Sequence, residues 1–252
     1  MDSSHSSQTS ILTATRNRPA YLAEAIASVE EQTDFDWELL IYDDASTDVK
    51  IREVIDGAKK RNPDRVFDVV SSVKGPRSPA LFWNFLLCLA RGKYITILDD
   101  DNRKHSEFLS RMTAPMESDS SIGATSCGWM RIDETGKSIE DCHWNLATNE
   151  VNLWRSNTID SNALCFRKSV LADVGVFPMY MDSCEDWHFV IRLVRACKMV
   201  HLEDVLLDYR VHRNAASTRG DDEGMIRNRD LVRRDLFPNG PPTGALIGAK
   251  RL

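Results

Sequence analysis

Four short apolar, β-branched runs stand in the first hundred residues with a helix-forming segment between each pair, and this alternation constrains the fold more than any other feature. The runs are SILTAT (10–15), WELLIYD (37–43), VFDVVSS (66–72) and YITIL (94–98). Each has the length and residue types of a strand. Between them, Pro19 opens a segment with Leu22, Ile26 and Val29 at helical spacing, Asp48 to Lys60 forms a second helix, and Pro79 to Ala90 a third that stops at Gly92. Strands separated by helices are joined by right-handed crossovers. The spacing therefore predicts an α/β fold, with a Rossmann-like, mostly parallel central sheet flanked by helices.

From about Ser106 the pattern changes. A helix over 106–117 leads into IGATSCGWMRID (122–133), a strand, with Glu134-Thr-Gly136 as its turn signal. Residues 142–160 are polar, contain Trp and follow no period. NALCFRKSVL (162–171) resumes order, and EDWHFVIRLVRAC (185–197) is amphipathic through Phe189, Leu193 and Ala196. The expectation is a disordered Ser-rich start over 1–9 and a single domain over 10–217, divided into a 10–105 half and a smaller, mixed 106–217 half. Residues 218–252 are charged and then rich in Pro and Gly, and read as a peripheral tail.

YITIL runs directly into Asp99, Asp100 and Asp101. Burial of the apolar run places these acids at the carboxyl end of a strand, the rim where open α/β sheets bind ligands. If the chain stays extended there, Asp99 and Asp101 point to one side and Asp100 to the other. Three adjacent carboxylates raise one another's proton affinity unless a cation is present. A divalent metal on hard oxygen ligands is one reading and a solvated acidic turn the other. The first two strands end in TATRNRP (13–19) and YDDASTD (42–48). Asp43 and Asp44 fit either a helix cap or an acceptor for a nucleobase N–H. Neither G-x-x-x-x-G-K-[ST] nor G-x-G-x-x-G occurs, so a nucleotide would be held through a metal rather than a glycine-rich cradle.

Charge excludes some partners. With 32 Lys and Arg against 38 Asp and Glu, the formal charge of −6 offers no field for nucleic acid or an anionic membrane. No run approaches the roughly 18 apolar residues of a membrane span, and the polar start MDSSHSSQTS lacks an apolar leader core. The chain reads as soluble, not secreted and cytoplasmic, with room for peripheral membrane contact. Its six cysteines, scattered and without a C-x-x-C pair, read as reduced thiols.

Taken together, SILTATRNRPAYLAEAIASVEEQT, WELLIYDDASTD and ARGKYITILDDDN resemble the donor half of family 2 glycosyltransferases with the GT-A fold, in particular small bacterial members of the spore-coat polysaccharide type. FRKSVLADVGVF (166–177), EDWHFVIRL (185–193) and LLDYRVHRNAAS (206–217) continue the resemblance over roughly residues 10–217. It implies a nucleotide-sugar-binding half over 10–105 and an acceptor and catalytic half over 106–217. By the same resemblance Asp44, with Asp43 beside it, matches the acid that binds the base, usually uracil, and Ala14, Thr15 and Arg16 line that pocket. Arg16 stands where the family usually has Tyr, and a guanidinium can also stack on a base. Asp99, Asp100 and Asp101 cover the DxD motif, with Asp101 and Asp99 toward Mn²⁺ or Mg²⁺, Asp99 and Asp100 toward the ribose, and His212 completing the metal and diphosphate site. Arg77 in KGPR (74–77) is a candidate diphosphate contact. Asp186 matches the catalytic base, and Glu185 stands beside it near the donor sugar.

The implied activity is a metal-dependent, inverting transfer from a nucleotide-diphosphate sugar to a hydroxyl of a saccharide, glycolipid or small molecule. Without the long carboxyl extension of processive members, single addition is expected. A catalytically silent nucleotide-binding protein is the alternative, and its mark would be a lost metal or base position; Asp101, His212 and Asp186 are all present. A nucleotidyltransferase would need G-x-G-x-R near the start, which TATRNR is not. Trp83, Trp129 and Phe189 are expected in the core, and Trp144, Trp154 and Trp187 are candidates for a sugar-facing platform.

Overall fold

The computed structural model describes residues 8–76, 78–142, 150–213 and 223–242. In chain order the elements are β1 (Thr9–Thr15), α1 (Pro19–Glu30), β2 (Trp37–Asp43), α2 (Val49–Arg61), β3 (Val66–Val70), α3 (Ala80–Leu89) and β4 (Tyr94–Ile97). Then come β5 (Arg103–Lys104), α4 (Phe108–Ser118), β6 (Ile122–Ile132), β7 (Ser138–Cys142), α5 (Glu150–Arg155), β8 (Leu164–Arg167) and α6 (Leu171–Val174). The last are α7 (Glu185–Ala196), β9 (Lys198–Arg210) and α8 (Glu223–Leu236). The strands form one sheet in the order β3-β2-β1-β4-β8-β6-β9-β5, with β7 paired to β6. The run β3-β2-β1-β4 is parallel, as is β6 with β9. Antiparallel pairs at β4–β8, β6–β8, β6–β7 and β5–β9 make the second half mixed.

Successive strand residues face opposite sides, and here both sides are apolar. Ile11, Leu39, Ile41 and Tyr94 pack with α1, α2 and α4, while Leu12, Leu40, Ile95 and Ile97 pack with α3, α7 and α8. Fully burying one such side chain is worth about 1.5–3 kcal/mol. The sheet therefore lies between two helical layers. Gly92 is required by closeness: a Cβ there would lie 2.5 Å from the backbone nitrogen of Ser10.

Several elements were not anticipated: the short strand β5, and α5, which forms within the 142–160 stretch read as irregular, are two, and β9 and α8 are the larger ones. β9 carries Glu203, Asp204 and Asp208, which hide its strand pattern, yet it pairs with β6 along nearly its whole length. Residues 223–236, expected within a peripheral tail, form α8, which packs on α7 and buries Asn228 and Val232. Cys88, Cys127, Cys165, Cys184 and Cys197 are free thiols. Among the described residues no helix is long and apolar enough to cross a membrane.

Candidate active site

In the order β3-β2-β1-β4 the strand sequence reverses between β1 and β4, and ligands of open α/β sheets bind at the carboxyl ends of strands at such a point. Thr15 at the end of β1 donates its hydroxyl to Asp100 Oδ2 at 2.7 Å, across that junction. The three acids do not continue extended as expected. The chain turns, with Asn102 N donating to Asp99 O at 3.1 Å. Asp100 and Asp101 consequently converge on one cation: Arg18 Nη1 lies 3.0 Å from Asp100 Oδ1 and also bonds Asp101 Oδ2. Asp99 is taken up instead by Asn162, whose Nδ2 donates to Asp99 Oδ2 at 2.8 Å and whose Oδ1 accepts the Asp99 amide at 2.5 Å.

Residues distant in sequence complete this turn. Asp101 Oδ2 is 2.9 Å from Nε2 of His212, whose ring packs on Tyr21 at 5.2 Å between centroids. Arg210, 1% exposed, holds the turn from beneath: its Nε donates to Asp101 O and its amide to Asn102 Oδ1, both at 2.9 Å. Burial raises the proton affinity of Asp99, and the charge of Asp101 adds to it. Burial does the same to Asp100, where Arg18 opposes it.

A cleft of about 530 Å³ opens above the turn, lined by Ala14, Thr15, Arg16, Asp44 and Gly75 as well as the three acids. Asp44, 6% exposed, accepts the Gly75 amide at 2.6 Å. A Cβ on Gly75 would meet the Phe82 ring at 2.6 Å, so only glycine fits this wall. Asp43 does not line the cleft; its Oδ1 accepts Ser46 N at 3.0 Å and shapes the turn. The cap of α2 is Asp48, which accepts Lys50 N at 3.0 Å, so the capping role considered for Asp43 and Asp44 falls elsewhere. Asn17 and Ala45 hold φ of 53° and 52°, and Asn17 Oδ1 locks the two loops together by accepting Thr47 N and Asp48 N. Such backbone strain persists where surrounding contacts over-determine it. Arg77 and Trp144 lie outside the described residues.

A second cleft, of about 660 Å³, shares Arg18, Pro79, Asp99 and Tyr209 with the first, so the two are continuous. Glu185 and Asp186, in the first turn of α7, face it. Cys184 just before them has φ 64°. Asn157 Nδ2 donates to Asp186 Oδ2 at 2.8 Å. Burial, with Asp160 second, pushes the Asp186 carboxyl up to about 6. Burial, with the charge of Asp186 second, pushes Glu185 up to about 8. One oxygen of Glu185 is buried without a hydrogen-bond partner among the described residues.

Sequence reasoning thus brought together Ala14, Thr15, Arg16, Asp44, Asp99, Asp100, Asp101 and His212 around one turn, and Glu185 with Asp186 across the cleft. It missed Arg18, Asn157, Asp160, Asn162 and Arg210. Arg18 and Arg210 lay inside the motifs TATRNRP and LLDYRVH and were readable there as cations beside acids; Asn157 and Asp160 stand in a stretch without a period. Of the proposed aromatic platform, Trp187 is 2% exposed and donates its indole N–H to Leu153 O at 2.7 Å, so it is chiefly a core residue. Trp154 is half-buried under the Arg233 guanidinium. Trp83, Trp129 and Phe189 are buried as expected.

The family model described as Glycosyl transferase family 2 matches residues 10–172. An uncharacterized glycosyltransferase of Methanocaldococcus jannaschii is 30% identical over 209 residues, 80% of this chain and 70% of that protein. The chain spans only 16–25% of the length of five other curated relatives that it matches. Among solved structures, TarS of S. aureus (residues 1–349) in complex with UDP-GlcNAc aligns with a TM-score of 0.72 at 17% identity, over 91% of this chain and 67% of that one. The mannosyltransferase PcManGT from Pyrobaculum calidifontis, in complex with GDP-Man and Mn²⁺, aligns with a TM-score of 0.64 at 17% identity, over 91% of this chain and 69% of that one. These likenesses identify the sheet as a GT-A fold. With the family model covering both the acidic turn and the strands that build it, the chain belongs to glycosyl transferase family 2.

Proposed function

We propose that the chain transfers a sugar from a nucleotide-diphosphate donor to an acceptor hydroxyl, with inversion, in a metal-dependent reaction. The observation that carries this reading is the continuity of two clefts through Arg18 and Asp99, with the acidic turn on one side and Asp186 on the other. A donor whose base lies by Asp44 and whose diphosphate lies by Asp101 would present its anomeric carbon at the junction. UDP-GlcNAc in TarS and GDP-Man in PcManGT support the donor class.

Among the described residues no group of three or more His, Cys, Asp or Glu side chains closes on one point. Of the three acids that line the cleft, Asp101 has a second metal-ligating group beside it, the His212 imidazole at 2.9 Å. That donor set fits Mn²⁺ or Mg²⁺, since carboxylate suits both, imidazole is a transition-metal ligand, and ions of this class commonly take one or two protein ligands plus substrate phosphates. A bound cation would stabilise the charge that develops on the departing diphosphate. Asp186 takes the proton of the attacking acceptor hydroxyl, and Asn157 keeps its carboxylate oriented. Glu185, which lines the same cleft, stands beside Asp186 toward the donor sugar. Direct attack by the acceptor oxygen inverts the anomeric centre without a covalent intermediate.

A screen of nucleotide sugars for hydrolysis to free nucleotide, with Mn²⁺ and with EDTA, tests the reading. Release from one donor class that EDTA abolishes is the expected result. Failure of every nucleotide sugar to bind or react would overturn it.

A further inference from the structure

We infer that Arg18 and the divalent cation of the proposed reaction compete for the same oxygen of Asp101, and that Arg18 passes to the donor diphosphate when the cation enters. The inference rests on the proposed function and assigns a role to a residue that the sequence reading left without one.

Arg18 contacts both Asp100 Oδ1 and Asp101 Oδ2 through one nitrogen, and that same Asp101 oxygen faces His212. The acids are held by other groups. Thr15 and the Arg16 backbone fix Asp100, and Arg210 fixes the Asp101 backbone. The Arg18 side chain is 36% exposed, against 4% for Asp100 and 13% for Asp101. The partner able to leave is therefore the long, flexible, solvated one. Two cations cannot share one carboxylate oxygen without strong repulsion. A metal entering between Asp101 and His212 is opposed by the guanidinium and favours its departure.

Arg18 also lines both clefts. On leaving Asp101 its fork of N–H donors remains at their junction, where the proposed reading places the diphosphate, and a guanidinium matches phosphate oxygens in a bidentate manner. Metal alone is thus opposed by Arg18, whereas metal together with a nucleoside diphosphate gives Arg18 a new partner. The two ligands bind interdependently, each raising the affinity of the other by the same factor. The device offsets the repulsion within the acidic turn and disfavours metal capture without donor.

The test titrates Mn²⁺ alone, read by its electron paramagnetic resonance signal, and UDP or GDP with and without Mn²⁺, read by calorimetry. The proteins are wild type, Arg18→Met, Arg18→Gln and Arg18→Lys, each checked for native circular dichroism. Arg18→Met is expected to bind Mn²⁺ alone about tenfold more tightly than wild type, and Mn²⁺ with nucleotide about tenfold less tightly, within the usual range of coupling between two sites. Arg18→Gln should behave as Arg18→Met does, and serves in its place if Arg18→Met lacks the native spectrum. Arg18→Lys should retain part of the coupling. Mn²⁺ affinity that is unchanged or lower in the uncharged variants, with wild type binding a nucleotide normally, would overturn the role of Arg18 and leave the proposed function standing. Wild-type protein that binds neither nucleotide with Mn²⁺ would overturn both.

Discussion

Asn157 Nδ2 donates to Asp186 Oδ2 at 2.8 Å, and this contact fixes how the proposed base faces the second cleft. Asp186→Asn keeps the shape and loses the ability to accept a proton. It should retain donor binding and lose at least about two orders of magnitude in transfer rate, the usual contribution of a positioned general base. Rates measured at saturating donor check this. If Asp186 serves only the dipole of α7, worth about 0.3–1 kcal/mol, the variant would transfer normally.

The same carboxyl sets an acid limb. Burial and Asp160 raise Asp186 to about 6, and a general base works only when deprotonated. Activity should therefore rise with pH through about 6 and level above it. The Asn157 hydrogen bond favours the charged form, so Asn157→Ala should shift that limb toward higher pH. A pH–rate profile of both proteins is the measurement.

Glu185 links pH to stability. Its folded value, about 8, lies above its ordinary carboxylate value of 4.5 because of burial and then Asp186. A raised folded value means that its stabilising contribution is complete below the ordinary value and is lost as pH climbs toward 8. Gln resembles the protonated acid. Glu185→Gln should match wild type below about pH 4 and exceed it at pH 8 by at least about 1 kcal/mol, roughly 2–4 °C in Tm for a domain of this size. Thermal melts at the two pH values decide it, and equal Tm differences at both would contradict the argument.

Asp44 and Asp48 stand four residues apart and should fail differently. Asp44 is buried in the wall of the first cleft, so Asp44→Ala should weaken nucleotide binding about tenfold or more, the value of a hydrogen bond to a charged group, and flatten discrimination among bases. Asp48 caps α2, so Asp48→Ala should cost about 0.5–2 kcal/mol of stability and leave base preference alone. Calorimetry with several nucleotides, paired with melting curves, separates the two.

Asp101→Ala removes the carboxylate that faces His212 while the turn remains held by Arg210 through the backbone. Metal-dependent nucleotide binding should be lost in a folded protein. Titration of UDP with Mn²⁺ reads this directly, and affinity equal to wild type would remove Asp101 from the proposed metal site.

Much of the first half was legible because its signals are local. The runs ending in Thr15, Asp43 and Leu98 are apolar on both faces, and such strands bury in a parallel sheet wherever helices separate them. The second half was less legible. The acids of β9 mask a strand that exists because β6 pairs with it, and the charged stretch that forms α8 is ordered by packing on α7. The extended geometry expected for Asp99 to Asp101 failed because a turn there lets Arg18, Asn162 and His212 reach the acids.

By itself, the sequence determined the alternation of strand and helix, and hence which rim of the sheet carries the acids, because hydrophobic periodicity acts between near neighbours. Only the tertiary structure decided which side chain answers each acid: His212 comes to Asp101 across 111 positions, and Asn162 to Asp99 across 63. A buried charge needs a partner or a proton, and the partner is set by which strands lie side by side, a property of the whole sheet rather than of any stretch of chain.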